Sequence, residues 1–324
     1  MDWVDCIYVA ASAHDARYTR TCIASIRYFY PHVPIQLLVG GRLQRGLAEE
    51  LRRYWAVGVA DIPGGDYGWG FVKLEVLFGR PGERFLVLDS DTVLAGPVLR
   101  NWTDMAALFV VDDEKQPKAE TKELYYDWQQ LHKIDSEARP PEFLFNTGQW
   151  FGTAGALSRR DFEPWLKWTM PRKVCPPGYF MNGEQGLLNY VLNRKVAFDG
   201  LAVDRRKLMC WPGRSMDGVS AMSVSKHAAP AVIVHWAGMK KARQRDLLGA
   251  DLLKFFENMY FGSLPAGKVR RLIAACGHCF TYWLVNIQLR IKLRFRIWAA
   301  YLPKRVSRRK VGTFNHSAGS NSSD

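Results

Sequence analysis

Two carboxylates separated by one residue close an apolar run in Phe85-Leu86-Val87-Leu88-Asp89-Ser90-Asp91. Side chains two apart in an extended segment point the same way, so Asp89 and Asp91 can converge on one cation. The preceding run is too apolar for an exposed edge and reads as a buried strand. A strand ending in carboxylates places them at the carboxyl edge of a parallel sheet, where open α/β folds bind ligands. Hard divalent cations take oxygen ligands and keep positions open for substrate phosphates. The ordinary alternative is a loop carrying two solvated acids.

A second group is Val234-His235-Trp236-Ala237-Gly238. His235 ends another short apolar run and is a candidate third ligand. A nitrogen donor beside two carboxylates suits Mn²⁺ better than Ca²⁺, with Mg²⁺ as the second choice. Gly238 lets the backbone approach a phosphate closely, and Lys240 and Lys241 add cationic charge beside it. Taken alone, His235 also reads as a hydrogen-bonded core histidine. Phe145-Asn146-Thr147-Gly148 and Asn182-Gly183-Glu184-Gln185 set amide or carboxyl groups beside small residues, which suits hydrogen bonds to sugar hydroxyls. Taken alone, the first is equally a turn and the second a capped helix start.

The elements that position these residues alternate over the first hundred residues. Strands are expected at Cys6–Ala11, Val33–Val39, Val57–Ile62 and Arg84–Leu88, and helices at Ala16–Tyr30, Leu43–Tyr54 and Trp69–Phe78. Such alternation predicts βαβ crossovers and a mainly parallel sheet covered on both faces. Beyond Asp91 the pattern loosens. A strand at Leu108–Val111, a polar stretch over Glu114–Arg139 with a helical middle, and an alternating apolar segment at Phe143–Gly152 follow. Helices starting near Ser158 and over Asn182–Leu192, a strand at Ala231–His235 and an amphipathic helix over Arg243–Tyr260 complete the reading.

Set in order, these motifs resemble the family 8 glycosyltransferases, a group with the GT-A nucleotide-diphospho-sugar transferase fold. The likeness runs through Val9-Ala10-Ala11-Ser12, Lys73-Leu74, Leu88-Asp89-Ser90-Asp91, Phe145-Asn146-Thr147-Gly148, Glu184-Gln185 and His235-Trp236-Ala237-Gly238-Met239-Lys240-Lys241, across roughly residues 5–245. The resemblance implies Asp89, Asp91 and His235 as ligands of Mn²⁺ bridging a donor diphosphate, with Gly238 and Lys241 on the phosphates. Ala10, Ala11 and the His14-Asp15 turn would line the base and ribose pocket. Lys73 would lie on the donor side of the cleft, as would Asp89 and Ser90. Asn146, Glu184 and Gln185 would address the transferred sugar, Gln185 nearest the anomeric carbon. The implied reaction moves a hexose from a UDP-sugar to a glycan or glycolipid with retention of configuration. A glutamine amide is a poor nucleophile, which favours same-face attack through a short-lived ion pair over a covalent intermediate. The sequence departs from the family pattern at Glu184, where Asp is usual. It departs also at Ala242-Arg243, where Pro-Trp is usual, and at Ser12 and His14. These changes bear on nucleotide and sugar identity more than on the metal.

Composition frames the rest. The 324 residues are 48% hydrophobic and 23% charged, which excludes wholesale disorder. Six cysteines thinly spread over this length are not a disulfide framework, and no secretory leader pattern opens the chain. From Asn258 to Ser323 there are 12 Lys and Arg and no Asp or Glu, which leaves residues 1–257 with 33 basic and 30 acidic residues. The net charge of +14 therefore belongs mostly to a tail. The expected organisation is a GT-A domain at 1–262, a basic aromatic tail at 263–312 and a disordered end at 313–324. The run Leu272–Leu289 is uncharged over 18 residues but holds Gly277, His278, Thr281, Asn286 and Gln288, against a spanning helix. Apolar residues alternate with Gln288, Arg290, Lys292, Arg294 and Arg296 over Ile287–Ile297. Trp283, Phe295, Trp298 and Tyr301 interleaved with cations suit an anionic membrane surface, so a cytoplasmic, peripherally membrane-associated protein is expected and nucleic acid is the less favoured partner. Cys276-Gly277-His278-Cys279 lacks a partner pair for a metal. The competing functions are a sugar-phosphate nucleotidyltransferase, which would want a Gly-rich loop absent from Ala10–Asp15, and a non-catalytic glycan- or nucleic-acid-binding protein.

Overall fold

The first four apolar runs become strands β1 (Cys6–Ala11), β2 (Ile35–Val39), β3 (Val57–Val59) and β4 (Arg84–Asp89). Their connections carry α1 (Ala16–Phe29), α2 (Leu47–Trp55) and a 3-10 helix over Phe71–Phe78. After β4 come β5 (Thr92–Leu94), β6 (Phe109–Asp112), α3 (Lys118–Leu124), α4 (Trp128–Leu131), β7 (Gln149–Thr153) and the two-residue strands β8 (Leu166–Lys167) and β9 (Lys173–Val174). The chain continues through α5 (Glu184–Asp199), β10 (Val203–Arg206), β11 (Met209–Cys210), α6 (Ala221–Ser225), β12 (Ile233–His235) and α7 (Ala250–Gly262). This computed structural model describes residues 4–276 apart from 69, 103–105, 114–117, 214–215, 241 and 243. The expectations for Ile287–Ile297, for the cysteine cluster beyond Cys276 and for the chain end therefore fall outside the described residues, as does the one for Lys241.

The central sheet has the order β10-β6-β7-β4-β1-β2-β3. Strands β4, β1, β2 and β3 run parallel, as do β10 and β6, while β7 lies antiparallel between β4 and β6. The expected mainly parallel α/β architecture is thus present. Both faces are covered: in β4, Leu86 and Leu88 enter one apolar cluster with α1 and α7, and Phe85 and Val87 enter the other with α5 and the 3-10 helix. Fully burying each such side chain stabilises by about 1.5–3 kcal/mol.

A second, three-stranded sheet β11-β12-β5 brings the distant histidine to the carboxylates. Strand β5 begins directly after Asp91, and its antiparallel register with β12 sets His235 opposite Thr92. The Trp236 amide then donates to the Asp91 carbonyl at 3.0 Å. Backbone pairing, rather than any local motif, joins residues far apart in sequence.

Several elements differ from the expectation. The helix expected over Trp69–Phe78 is the 3-10 helix Phe71–Phe78, entered through Gly70 at φ 72°. Phe71 through Leu77 are all buried, so packing on every side outweighs helix periodicity. The helix expected from Arg243 is split: Gly249, at φ 71°, separates a turn at Gln244–Asp246 from α7. The helix expected near Ser158 is one 3-10 turn, Arg159–Phe162, soon followed by Pro164. Pro34 cannot donate to the ladder, and β2 begins after it. After α7 the chain turns and is helical again over 267–276, the compact unit ending at Ala274. Leu264 is buried in the core on the way. Among the described residues, no helix is long and apolar enough to cross a membrane.

Candidate metal and donor site

Asp89, Asp91 and His235 meet at the carboxyl end of β4. One ligand atom from each lies within 4.8 Å of the others. His235 Nε2 stands 3.5 Å from Asp91 Oδ1 and 3.9 Å from Asp89 Oδ2. Asp91 and His235 are buried and Asp89 is partly open to the cleft. Burial opposes ionisation of Asp91, but its contacts with His235 and Lys240 outweigh it and hold the carboxyl below the usual carboxylate range. Asp91 Oδ1 is buried and makes no well-formed hydrogen bond, His235 Nε2 and Lys240 Nζ each approaching it only to 3.5 Å. Buried polar oxygens are rarely left in that state. Two carboxylates and an imidazole, with one buried oxygen only loosely held by the protein, form a donor set suited to a divalent cation such as Mn²⁺.

The trio lines a cleft of about 910 Å³. Ala10, Ala11 and Asp15 line its β1 side, and Asn146, Glu184 and Gln185 line the opposite side. Gly238 and Lys240 border it as well. Lys240 lies 3.2 Å from Asp15 and 3.5 Å from Asp91, and those acids raise its pKa against the effect of burial. With residue 241 outside the described residues, Lys240 is the lysine of this pair seen in the cleft. His14 is exposed and Ser90 is buried; neither lines the cleft.

Lys73 is a buried hub. Its ammonium donates to Asp89 Oδ1 at 3.0 Å and to the Thr147 carbonyl at 2.9 Å, and pairs with Glu184 Oε1 at 2.6 Å. Three close acceptors match its three N–H groups. Burial works against its charge, but Asp89 and Glu184 hold its pKa above the ordinary lysine value. Lys73 thereby orients one carboxylate of the trio and ties it to the residues opposite. Glu184 also accepts from Thr147 Oγ1 at 2.9 Å, and its other oxygen packs where a side chain at Gly70 would stand.

Gln185 is fixed at both ends of its amide. Its Oε1 accepts from the Thr147 amide at 3.3 Å and its Nε2 donates to the Leu124 carbonyl at 3.1 Å. Asn189 and Asn193 extend the same face of α5 at four-residue spacing. Asn189 bonds both backbone groups of Phe145, and Asn193 does the same for Phe143. A stripe of amides thus holds the segment carrying Asn146. The sequence reading missed this stripe, although amides at 185, 189 and 193 on one helix were its signal.

Two further residues shape the histidine. A Cβ on Gly148 would overlap His235 Cε1, so only glycine admits the ring there. Trp211 stacks on the His235 ring, with centroids 5.5 Å apart and planes 20° from parallel. Nothing in the sequence near Trp211 announced that contact; it follows from β11 lying beside β12.

No protein-family model and no curated protein matches this chain. Among solved structures it is similar to the apo bifunctional glycosyltransferase WbbM, at 12% identity and a TM-score of 0.50, over 80% of this chain and 50% of WbbM. The chain thus spans half the length of WbbM. It is also similar to the galactosyltransferase LgtC in complex with donor and acceptor sugar analogues, at 13% identity and a TM-score of 0.47, over 80% of this chain and 96% of LgtC. For the glycosyltransferase GlyE of Streptococcus pneumoniae TIGR4 the values are 12% and 0.48, over 83% of this chain and 62% of GlyE. The fold is that of the GT-A glycosyltransferases.

Proposed function

We propose that this protein is a metal-dependent glycosyltransferase of the family 8 type, moving a hexose from a UDP-sugar to a glycan or glycolipid with retention of configuration. The observation that carries this reading is the convergence of Asp89, Asp91 and His235, with Lys240 beside them, in a cleft at the carboxyl ends of parallel strands. A divalent ion held by the trio, Mn²⁺ by its donor set, would supply Lewis-acid neutralisation of the charge that develops on a departing diphosphate. Lys240 adds a fixed cation for the same charge. Ala10 and Ala11 leave room at the end of β1 for a base and ribose. Gln185 and Asn146, both held by backbone partners, face the other end of the cleft, where the sugar would lie. Neither amide is a good nucleophile, in keeping with same-face attack in which the leaving phosphate takes the acceptor's proton. The basic tail, beginning beyond residue 262, supports a working position at an anionic membrane surface where a glycolipid acceptor resides.

Calorimetry with UDP and Mn²⁺ tests the reading. UDP should bind in the presence of Mn²⁺, and Asp91→Ala should weaken binding by about a hundredfold. Binding that ignores the metal or the substitution would overturn it. Product stereochemistry decides retention, and a screen of UDP-sugars for metal-dependent hydrolysis names the donor.

A further inference from the structure

We propose that the helix starting at 267 is an interfacial helix that lies in the headgroup layer of an anionic lipid surface, with Val269, Leu272 and Ile273 in the apolar boundary. The proposal rests on the membrane part of the reading above and assigns it a surface. A surface helix ordinarily buries its apolar stripe and shows its charges to water. This one is turned inside out. Val269, Leu272 and Ile273, spaced for a single helix face, are 59%, 65% and 66% exposed. On the other face Arg270 pairs with Glu50 of α2 at 3.2 Å, Arg271 lies 3.8 Å from Glu257 of α7, and Ala274 packs on the core. Ion pairs to the body fix the rotation of the helix and leave its apolar side outward. Three of the nine exposed large hydrophobic residues among those described fall within these five positions.

Charge selects the occupant. Lys268 is exposed on the flank of the stripe. From Asn258 to Ser323 the chain carries 12 basic and no acidic residues. A second copy of the chain would bring the same positive charge against this face, whereas anionic lipid gains about 1 kcal/mol per nearby Lys or Arg. Apolar side chains between cations are the pattern of a helix lying in an interface, and nucleic acid offers no layer for the apolar stripe.

The full-length protein and Leu272→Glu/Ile273→Glu should be compared by co-sedimentation with vesicles of phosphatidylglycerol and phosphatidylcholine. Neither residue touches the cleft, so Mn²⁺-dependent UDP binding in solution should stay the same, which separates this test from that of the catalytic reading. The double variant should partition about tenfold or more weakly. The milder Val269→Ser/Ile273→Ser should lose binding in the same direction. Vesicle binding equal to the parent's overturns the proposal. So does a parent dimer that the variant dissociates, which assigns the face to a second copy. A lowered Tm of the variant without lipid overturns it too, since the face would then be covered by the chain itself.

Discussion

At the scale of single residues, the site depends as much on what is missing as on what is present. Gly148 has no side chain, and the His235 ring occupies the space. Gly148→Ala should displace the imidazole from Asp89 and Asp91 and lower Mn²⁺ affinity by about 10–100-fold, the range seen when the support of a ligating histidine is lost. Titration of the protein with Mn²⁺, followed by electron paramagnetic resonance of the free ion, measures this without any turnover; an unchanged affinity would show that the ring can relocate. The carboxylate pair and the histidine were legible in the sequence because each ends an apolar strand. Their supports were not. Trp211 reaches His235 through strand neighbours set by the small sheet, and two of the three partners of Lys73, Thr147 and Glu184, come from segments over seventy residues away.

At the scale of elements, short apolar runs separated by segments of helical length made the strands readable, and the boundaries moved where glycine or proline intervened. β1 forms over the expected residues, whereas the helix expected from Arg243 breaks at Gly249. The role of α5 was hidden because its polar face is turned inward, carrying Gln185, Asn189 and Asn193 against the 142–147 segment. Asn189→Leu should orphan the Phe145 amide and carbonyl at a cost of about 1–3 kcal/mol for each buried group. Denaturant unfolding measures that cost, and UDP-sugar hydrolysis should fall with it as Asn146 loses its support; a neutral change would mean that the segment needs no help from the helix. On the opposite side of the sheet, Glu50 of α2 gathers Arg20, Tyr260 and Arg270. Burial pushes its carboxyl up, but those three partners outweigh burial and hold its pKa below the usual value. A depressed folded pKa gives stability that is present above the unfolded value, about 4.3, and is lost as pH falls through the folded one. Glu50→Gln should therefore be less stable than the parent at neutral pH by about 1–3 kcal/mol, with the gap closing as both are acidified. Parallel unfolding curves from pH 7 to pH 3 check the sign, and a gap that widens in acid would refute it.

At the scale of the whole molecule, the Asp89, Asp91 and His235 trio joins the two sheets. Asp89 ends the large sheet's central strand, Asp91 directly precedes the first strand of the small sheet, and His235 ends another strand of the small one. Ligand that grips all three should stabilise both sheets together, since an unfolded chain presents these residues apart. Saturating Mn²⁺ and UDP at about a hundred times their dissociation constant should add about 2.7 kcal/mol. For a unit of this size that corresponds to a rise in Tm of about 4–8 °C. The shift should appear as one cooperative transition and should vanish in Asp91→Asn, whose fold keeps its two cores. Mn²⁺ alone should give part of the shift and UDP alone almost none, because the diphosphate's negative charge would meet Asp89 and Asp91 unscreened. Differential scanning calorimetry separates the cases. Equal shifts from UDP with and without metal would mean that the nucleotide is held by Lys240 and the backbone, leaving the carboxylates a structural part. A shift confined to one of two resolved transitions would mean that the trio does not couple the sheets.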